Sequence, residues 1–341
     1  MASLVSDRPP VARRETSRPA IESLMAPIVG GLLVMLLLLG LIGTAIRDPR
    51  PHDIPVGVVG PAPAVQQITG AFGAKAPGTF AFTTYDSEDA ARAALDARDV
   101  DGVLVLGAGA PSLLVAGAAG DGISAAIAGA FSAVFAAQGA QLTVVVTHPF
   151  GSGDAHGLIL FFLVLATLIA TLVATILLFV RGQTLGVAAW VGVLAGWSIV
   201  SGLAGVGAAA WIVGGYDLTA AIAMMGLIAL ASFSVGAFIA GCARLLGPPG
   251  LGLAALIVVL LDLVSSGGPV GSAFLPDFYR WLAPWMPAGE LFSALRGVLY
   301  FDGAGVTAPI VVMAGWAVVG LLLLAAAAFM PGRSRTPAMA G

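Results

Sequence analysis

The chain has 341 residues, of which 59% are apolar and 10% are charged. A water-soluble domain carries about 25% charged residues, so most of this chain must be solvated by lipid. The net charge of −3 is small and scattered, which excludes a nucleic-acid-binding surface, and the lone Cys242 excludes an intrachain disulfide or a multi-cysteine metal site.

In chain order, residues 1–26 read as a cytoplasmic segment holding Arg8, Arg13, Arg14 and Arg18 with Asp7 and Glu15. Within it, Thr16 to Ala26 fits a helix lying in the membrane interface. Ile21, Leu24 and Met25 make its apolar side, and Arg18 and Glu22 mark the polar one. A basic tail that only sets topology is the alternative. Ile28 to Ile46 carries no charge and is long enough to span a bilayer, so transmembrane helix 1 is placed at 27–46. The run exceeds the roughly 7–15 apolar residues of a signal-peptide core.

Residues 47–153 have short hydrophobic runs broken by Pro, Gly and charge, and predict an α/β domain. Val56 to Val59 is a buried-strand pattern. Ala64 to Ala74 predicts a helix, with Val65, Ile68 and Phe72 on one face. Thr79 to Tyr85 reads as a strand, and Asp86 or Ser87 then caps a helix to Arg98 with Glu88 and Asp89 in its first turn. A turn at Asp99 to Gly102 leads into strands at Val103 to Leu106 and Ser112 to Ala116. Asp121 opens a helix to about Gln138, and Thr143 to Thr147 is a last extended run. A domain of about 100 residues can bury its own core.

Five further spans are predicted within 154–330: Leu158 to Val180, Thr184 to Val213, Leu218 to Ala243, Gly250 to Ser266 and Thr307 to Met330. Gly192 and Gly196 form a G-x-x-x-G pair, and Gly202, Gly205 and Gly207 continue the small surface, which suits close helix packing within one subunit or between two. Cys242 reads as a small packing residue near a helix end. Asp262 is the acid well inside a span; the readings are a pore or cavity role, together with Ser265 and Ser266, or an acid hydrogen-bonded by those serines near the interface. Residues 268–305 are too polar to span. Phe278, Tyr279, Trp281 and Trp285 suit an interfacial aromatic belt. Short interfacial helices are expected at 275–300, with Glu290 near the positive end of one of them. Arg296 on that helix pairs with Glu290 or Asp262 or snorkels to headgroups, and snorkelling is the expectation. Residues 331–341 form a cytoplasmic tail.

Orientation comes from arginine. The N-terminal segment, Arg181 between the second and third spans, Arg244 between the fourth and fifth, and Arg333 and Arg335 in the tail all fall on one face if both termini are inside. The predicted architecture is therefore an α-helical polytopic inner-membrane protein with six transmembrane helices and an extracytoplasmic α/β domain inserted between helices 1 and 2.

The order of punctuating motifs resembles the ABC-2-type permease superfamily, and is most similar to its phage-infection-protein-like and actinobacterial members. The residues carrying the resemblance are Ile54-Pro55-Val56-Gly57-Val58-Val59, the stretch Asp86 to Leu106, His148-Pro149-Phe150, and Asp154-Ala155-His156-Gly157-Leu158. Further along they are Ser265-Ser266-Gly267-Gly268-Pro269, Leu275-Pro276, Trp285-Met286-Pro287-Ala288-Gly289-Glu290, Leu295-Arg296 and Tyr300-Phe301. The chain lacks the long helical insertion that larger relatives carry in this domain. The resemblance implies a permease subunit of an exporter, energised by a separate ABC ATPase and assembled as a homodimer or heterodimer. It also implies ATPase coupling through Arg18 and Glu22 of the N-terminal helix and through Arg181 and Gln183 of the loop between spans two and three.

The residue chemistry agrees that the motor lies elsewhere. A phosphate-binding loop needs a lysine among glycines, and the single lysine, Lys75, sits in Gly73-Ala74-Lys75-Ala76-Pro77 within the α/β segment. His52, His148 and His156 are far apart and flank membrane boundaries, so no enzyme site, metal site or cofactor is expected. The function classes left are an exporter subunit moving an amphipathic or lipid-like substrate, and a non-transporting envelope protein, receptor or secretion accessory, acting through its outer domain.

Overall fold

A computed structural model of the chain describes residues 18–107, 109–268 and 270–329, with side chains at all of these except 18–24, 26, 27, 46 and 259. Among the described residues six helices are long and apolar enough to cross a membrane, which makes the chain a multi-pass membrane protein. The first is α1 (Arg18–Ile46). It runs unbroken from the segment expected to lie in the interface into the first span, so Ala26 marks no boundary. Of the described residues, those up to Thr44 form one unit and those from Ala45 onward form the other.

The second unit opens with a sheet domain. Its elements are β1 (Ile54–Val59), α2 (Ala62–Lys75), β2 (Phe80–Thr84), α3 (Glu88–Asp96), β3 (Gly102–Val105), β4 (Ser112–Ala116), α4 (Asp121–Ala137) and β5 (Thr143–Thr147). The strands order as β2-β1-β3-β4-β5. β1 pairs in parallel with both β2 and β3, β3 meets β4 antiparallel, and β5 lies parallel to β4. β1 is almost wholly buried, as its Ile-Pro-Val-Gly-Val-Val run requires of a central parallel strand. Ser87 caps α3 by accepting from the Ala90 N–H at 3.2 Å. One face of the sheet is closed by α2 and α4, where Phe72, Phe80, Phe82 and Phe131 stack with ring centroids 4.6–6.3 Å apart. The other face packs α3 against Phe150, Tyr300 and Phe301, the last two from beyond the fifth span. β5 is an edge strand whose Val144, Val145 and Val146 are all exposed.

The remaining spans are α5 (Leu158–Arg181), α6 (Val187–Val213), α7 (Leu218–Leu246), α8 (Pro248–Ser265) and α11 (Thr307–Ala328). Two short helices, α9 (Asp277–Leu282) and α10 (Pro287–Tyr300), stand between α8 and α11. Asp154 starts α5 by accepting from the Ile159 and Leu160 N–H groups. α7 is the hub: it is buried on all sides from Ala231 to Ala243 apart from Phe233 and Phe238, and α5, α6, α10 and α11 pack around it. A helix that is apolar all round belongs in such a position. Cys242 is buried in this core. Hydroxyls on neighbouring helices tie the spans together: Ser201 and Ser232 lie 2.7 Å apart, and Trp197 Nε1 donates to Thr171 Oγ1 at 3.1 Å.

The small residues that permit close packing are not the expected pair. Among the described residues no atom stands within 4 Å of where a Cβ would sit at Gly192 or Gly196, so neither mediates packing among the helices from α5 onward. Close approaches occur between α6 and α7, where a Cβ on Gly202 would stand 2.6 Å from the Met225 carbonyl oxygen, and between α7 and α11. A Cβ on Gly320 would stand 2.5 Å from the Ala237 carbonyl carbon, and one on Gly241 would stand 2.6 Å from Leu323 Cβ. Gly320→Val is therefore expected to destabilise the bundle by about 1–3 kcal/mol, seen as a lower melting temperature in detergent. Gly192→Val should change the stability of the isolated chain by no more than about 0.5 kcal/mol.

Candidate functional site

The sheet domain and the membrane helices meet through charged side chains, and Arg98 is the centre of that joint. It comes just after α3 with a positive φ of 66°, which turns its side chain away from the helix axis. Nη1 donates to the Ser293 carbonyl at 3.0 Å and the Ala304 carbonyl at 3.3 Å, and Nη2 donates to Ser293 Oγ at 3.0 Å. The guanidinium rests on the Phe301 ring, whose other partner is the stacked imidazole of His148 at 4.6 Å. Space for it comes from glycine: a Cβ at either Gly297 or Gly305 would stand 3.1 Å from Nη1. A residue of the sheet domain is thus seated in a cradle built by α10 and the loop after it.

Arg296 makes a second bridge in the opposite direction. It was expected to snorkel, but it turns inward over the Phe292 ring at 4.6 Å and donates to the carbonyl of Ala119 in the sheet domain. It pairs with neither Glu290 nor Asp262. An arginine can turn away from headgroups here because the sheet domain covers this end of α10 and supplies a carbonyl. Asp101 lies in the field of both arginines. Burial nevertheless raises its carboxyl to about 6, outweighing the pull of Arg296 and Arg98. Glu290, in the first turn of α10, is likewise raised to about 7 by burial, against the attraction of Arg98.

A further tie, at the far side of the joint, is Arg280 of α9, which donates to Asp53 at 2.9 Å and to Asp277 at 2.7 Å. Of the aromatic belt expected here, Phe278, Trp281 and Trp285 are exposed, while Tyr279 is buried and packs against Phe278.

Asp262 is fully buried in α8, at the end of a π-helical stretch from Leu256 to Asp262. The serines expected to hold it do not. Its Oδ1 accepts from the Ala288 N–H at 2.8 Å, at the start of α10. Ser265 is also fully buried, and Ser266 turns its Oγ to the Leu263 carbonyl. The start of a helix offers unpaired N–H groups, and one of them reaches the carboxylate. So Asp262, Ser265, Ser266, Glu290 and Arg296 all gather around α10.

At the other end of the bundle, Arg181 and Gln183 are exposed in the connection from α5 to α6. Beside them is a cavity of about 500 Å³ lined by Gln183, Trp190, Arg244, Gly247 and Ala328 among others. Arg244 lies over the Trp190 ring and donates to the Leu185 carbonyl at 3.0 Å. Arg18 and Glu22 lie on α1, and their side chains fall outside the described residues. His156 contacts Asp121 at 2.5 Å, and His148 stands 3.4 Å from Asp96. Among the described residues no three His, Cys, Asp or Glu side chains are placed to hold a metal. Arg98 and Asp101 escaped sequence reasoning; their signal was a charged Arg98-Asp99-Val100-Asp101 turn between an apolar helix face and a buried strand. Against family models, curated proteins and solved structures, the chain has no match.

Two measurements check the joint. Arg98→Ala removes three hydrogen bonds from a charged donor, and about 2–3 kcal/mol of docking should be lost. The expected readout is faster proteolytic cleavage near residue 98 with the membrane helices still folded; Gly297→Ala should reproduce it, because its Cβ would stand 2.5 Å from the Ala304 carbonyl oxygen and 3.1 Å from Nη1 and so force the cradle apart. The second concerns pH. The raised Asp101 carboxyl binds its proton more tightly folded than unfolded, so it favours the folded state at low pH. That contribution is lost as pH rises from 3.8 to about 6. Relative to Asp101→Asn, the wild type should lose on the order of 3 kcal/mol across this window in thermal unfolding. A difference that does not vary with pH would contradict the assignment.

Proposed function

We propose that the chain is the transmembrane subunit of an ABC-2-type exporter, energised by a separate ATPase and moving an amphipathic or lipid-like substrate. The observation that carries the reading is the layout: one apolar helix, a sheet domain, then five apolar helices, with the domain held by α10 just before the last span. In this reading the sheet domain is extracytoplasmic and both termini are cytoplasmic. Support comes from Arg181 and Arg244, which gather at the end of the bundle away from the sheet domain, as the positive-inside rule asks of a cytoplasmic face. Spans almost free of charge suit a hydrophobic cargo. Six spans are half of what a permease pore of this kind uses, so two subunits assemble, and the open surface at Gly192 and Gly196 suits that contact.

Coupling is assigned to the N-terminal helix with Arg18 and Glu22 and to the exposed Arg181 and Gln183. Deleting residues 16–26 is expected to abolish co-purification of an ATPase from detergent while leaving membrane insertion intact. Arg181→Glu should weaken the association by about tenfold, or about 1.4 kcal/mol. Unchanged co-purification in both would overturn the reading.

A second reading has one observation in its favour. The three exposed valines of β5 lie on an open sheet edge, the kind of surface that accepts a strand from a partner. If no ATPase accompanies the purified protein, a receptor or secretion accessory acting through this edge becomes the better account.

A further inference from the structure

Asp262 combines three features that packing alone does not explain. It and Ser265, one turn further on, are both wholly shielded from solvent. Its Oδ1 is satisfied by the Ala288 N–H, but its Oδ2 has no hydrogen-bond partner, and neither has Ser265 Oγ. And it closes a π-helical stretch, a rare backbone form found often at functional positions.

The charged and titratable groups on every element packed against this end of α8 are accounted for elsewhere. On α9, Arg280 is bound to Asp53 and Asp277, and Tyr279 packs against Phe278. On α10, Glu290 lies in the field of Arg98, Arg296 reaches Ala119, and Tyr300 packs on Phe150. α5 and α7 bring Arg181, Cys242 and Arg244, all toward their opposite ends. Among the described residues no cation forms an ion pair with Asp262. A bare carboxylate in such a place costs several kcal/mol, and leaving one oxygen without a donor adds to that. A hard metal ion would gather about six or more oxygens, whereas a single carboxylate oxygen and a single hydroxyl are free here. A proton needs only one.

We infer that Asp262 is a proton-binding site inside the membrane bundle, carrying its proton on Oδ2 and exchanging it with water at the sheet-domain end through Ser265, whose free hydroxyl must first turn toward Oδ2. The route is short. Ser265 and Ser266 are succeeded at once by Gly267 and Gly268, where the helix ends and the chain turns with positive φ. Loss of the proton places a full charge against the start of α10, so the occupancy of this site is linked to the helix that holds the sheet domain. The inference does not depend on which partner energises the chain.

Infrared spectroscopy of the full-length protein in detergent tests it at about pH 8, where Asp101 is ionised. The wild-type minus Asp262→Asn difference spectrum is expected to show the carbonyl stretch of a protonated carboxylic acid, shifting in D2O. Asparagine keeps an oxygen for the Ala288 N–H, so the variant removes the proton and preserves the bond. If that variant does not fold, wild-type protein carrying 13C at its aspartate carboxyls gives the same reading through the isotope-shifted band. Ser265→Ala should retain the band and slow its shift in D2O. Carboxylate bands in place of the acid band, or an acid band that never shifts in D2O, would overturn the site. An unchanged exchange rate in Ser265→Ala would overturn the relay.

Discussion

The Arg98 guanidinium, seated in a cradle of backbone carbonyls and glycines, is the contact on which the arrangement of this molecule depends. A sheet domain joined to membrane helices by short connections must be fixed at some third point to have a defined orientation. Here that point lies 195 residues along the chain from Ser293. A guanidinium suits the task because its rigid fork can satisfy several carbonyls at once while its flat face rests on an aromatic ring. The reverse bridge from Arg296 to Ala119 makes the joint two-sided, so sliding the sheet domain along α10 would break both.

α10 is thereby held from two directions. Its last turns are held by the sheet domain through Ser293 and Arg296, and its start is held by α8 through the Asp262 to Ala288 bond. It is amphipathic and too short to span, with Leu291, Phe292 and Leu295 buried in the bundle core. The spans beneath it need no such anchors. α7 and α11 approach closely at Gly241 and Gly320, and dispersion between tightly packed backbones does the work that the hydrophobic effect cannot do in lipid.

Legibility in the amino-acid sequence depends on physical range. The spans were legible because a bilayer demands long runs without charge, and Leu158, Val213, Leu218 and Thr307 bound helices where those runs begin or end. The strands and helices of the sheet domain were also legible, since each rests on local patterning and on caps such as Ser87. The strand order was not, because pairing β1 between β2 and β3 is settled by contacts far apart in the chain. The same limit applies to the joint. Arg296 was expected in headgroups because nothing local shows that a carbonyl of the sheet domain would lie above it. Asp262 stood out as an acid in an apolar run, but its partner, a backbone N–H, carries no side-chain signature. Gly192 and Gly196 matched a packing motif but have nothing close to them among the described residues from Ala45 onward, whereas Gly202, further along the same span, packs on Met225, and Gly241 and Gly320 sit on different spans and form no local pattern.

The π-helical stretch from Leu256 to Asp262 gives α8 a reserve of length. A π turn holds more chain than an α turn, so tightening it would draw in about one residue and rotate the end of the helix by about 100°. Asp262 stands at the end of that slack, and the rotation would carry its carboxylate off the start of α10. Such a rewinding would break the Asp262 to Ala288 bond from within α8 itself.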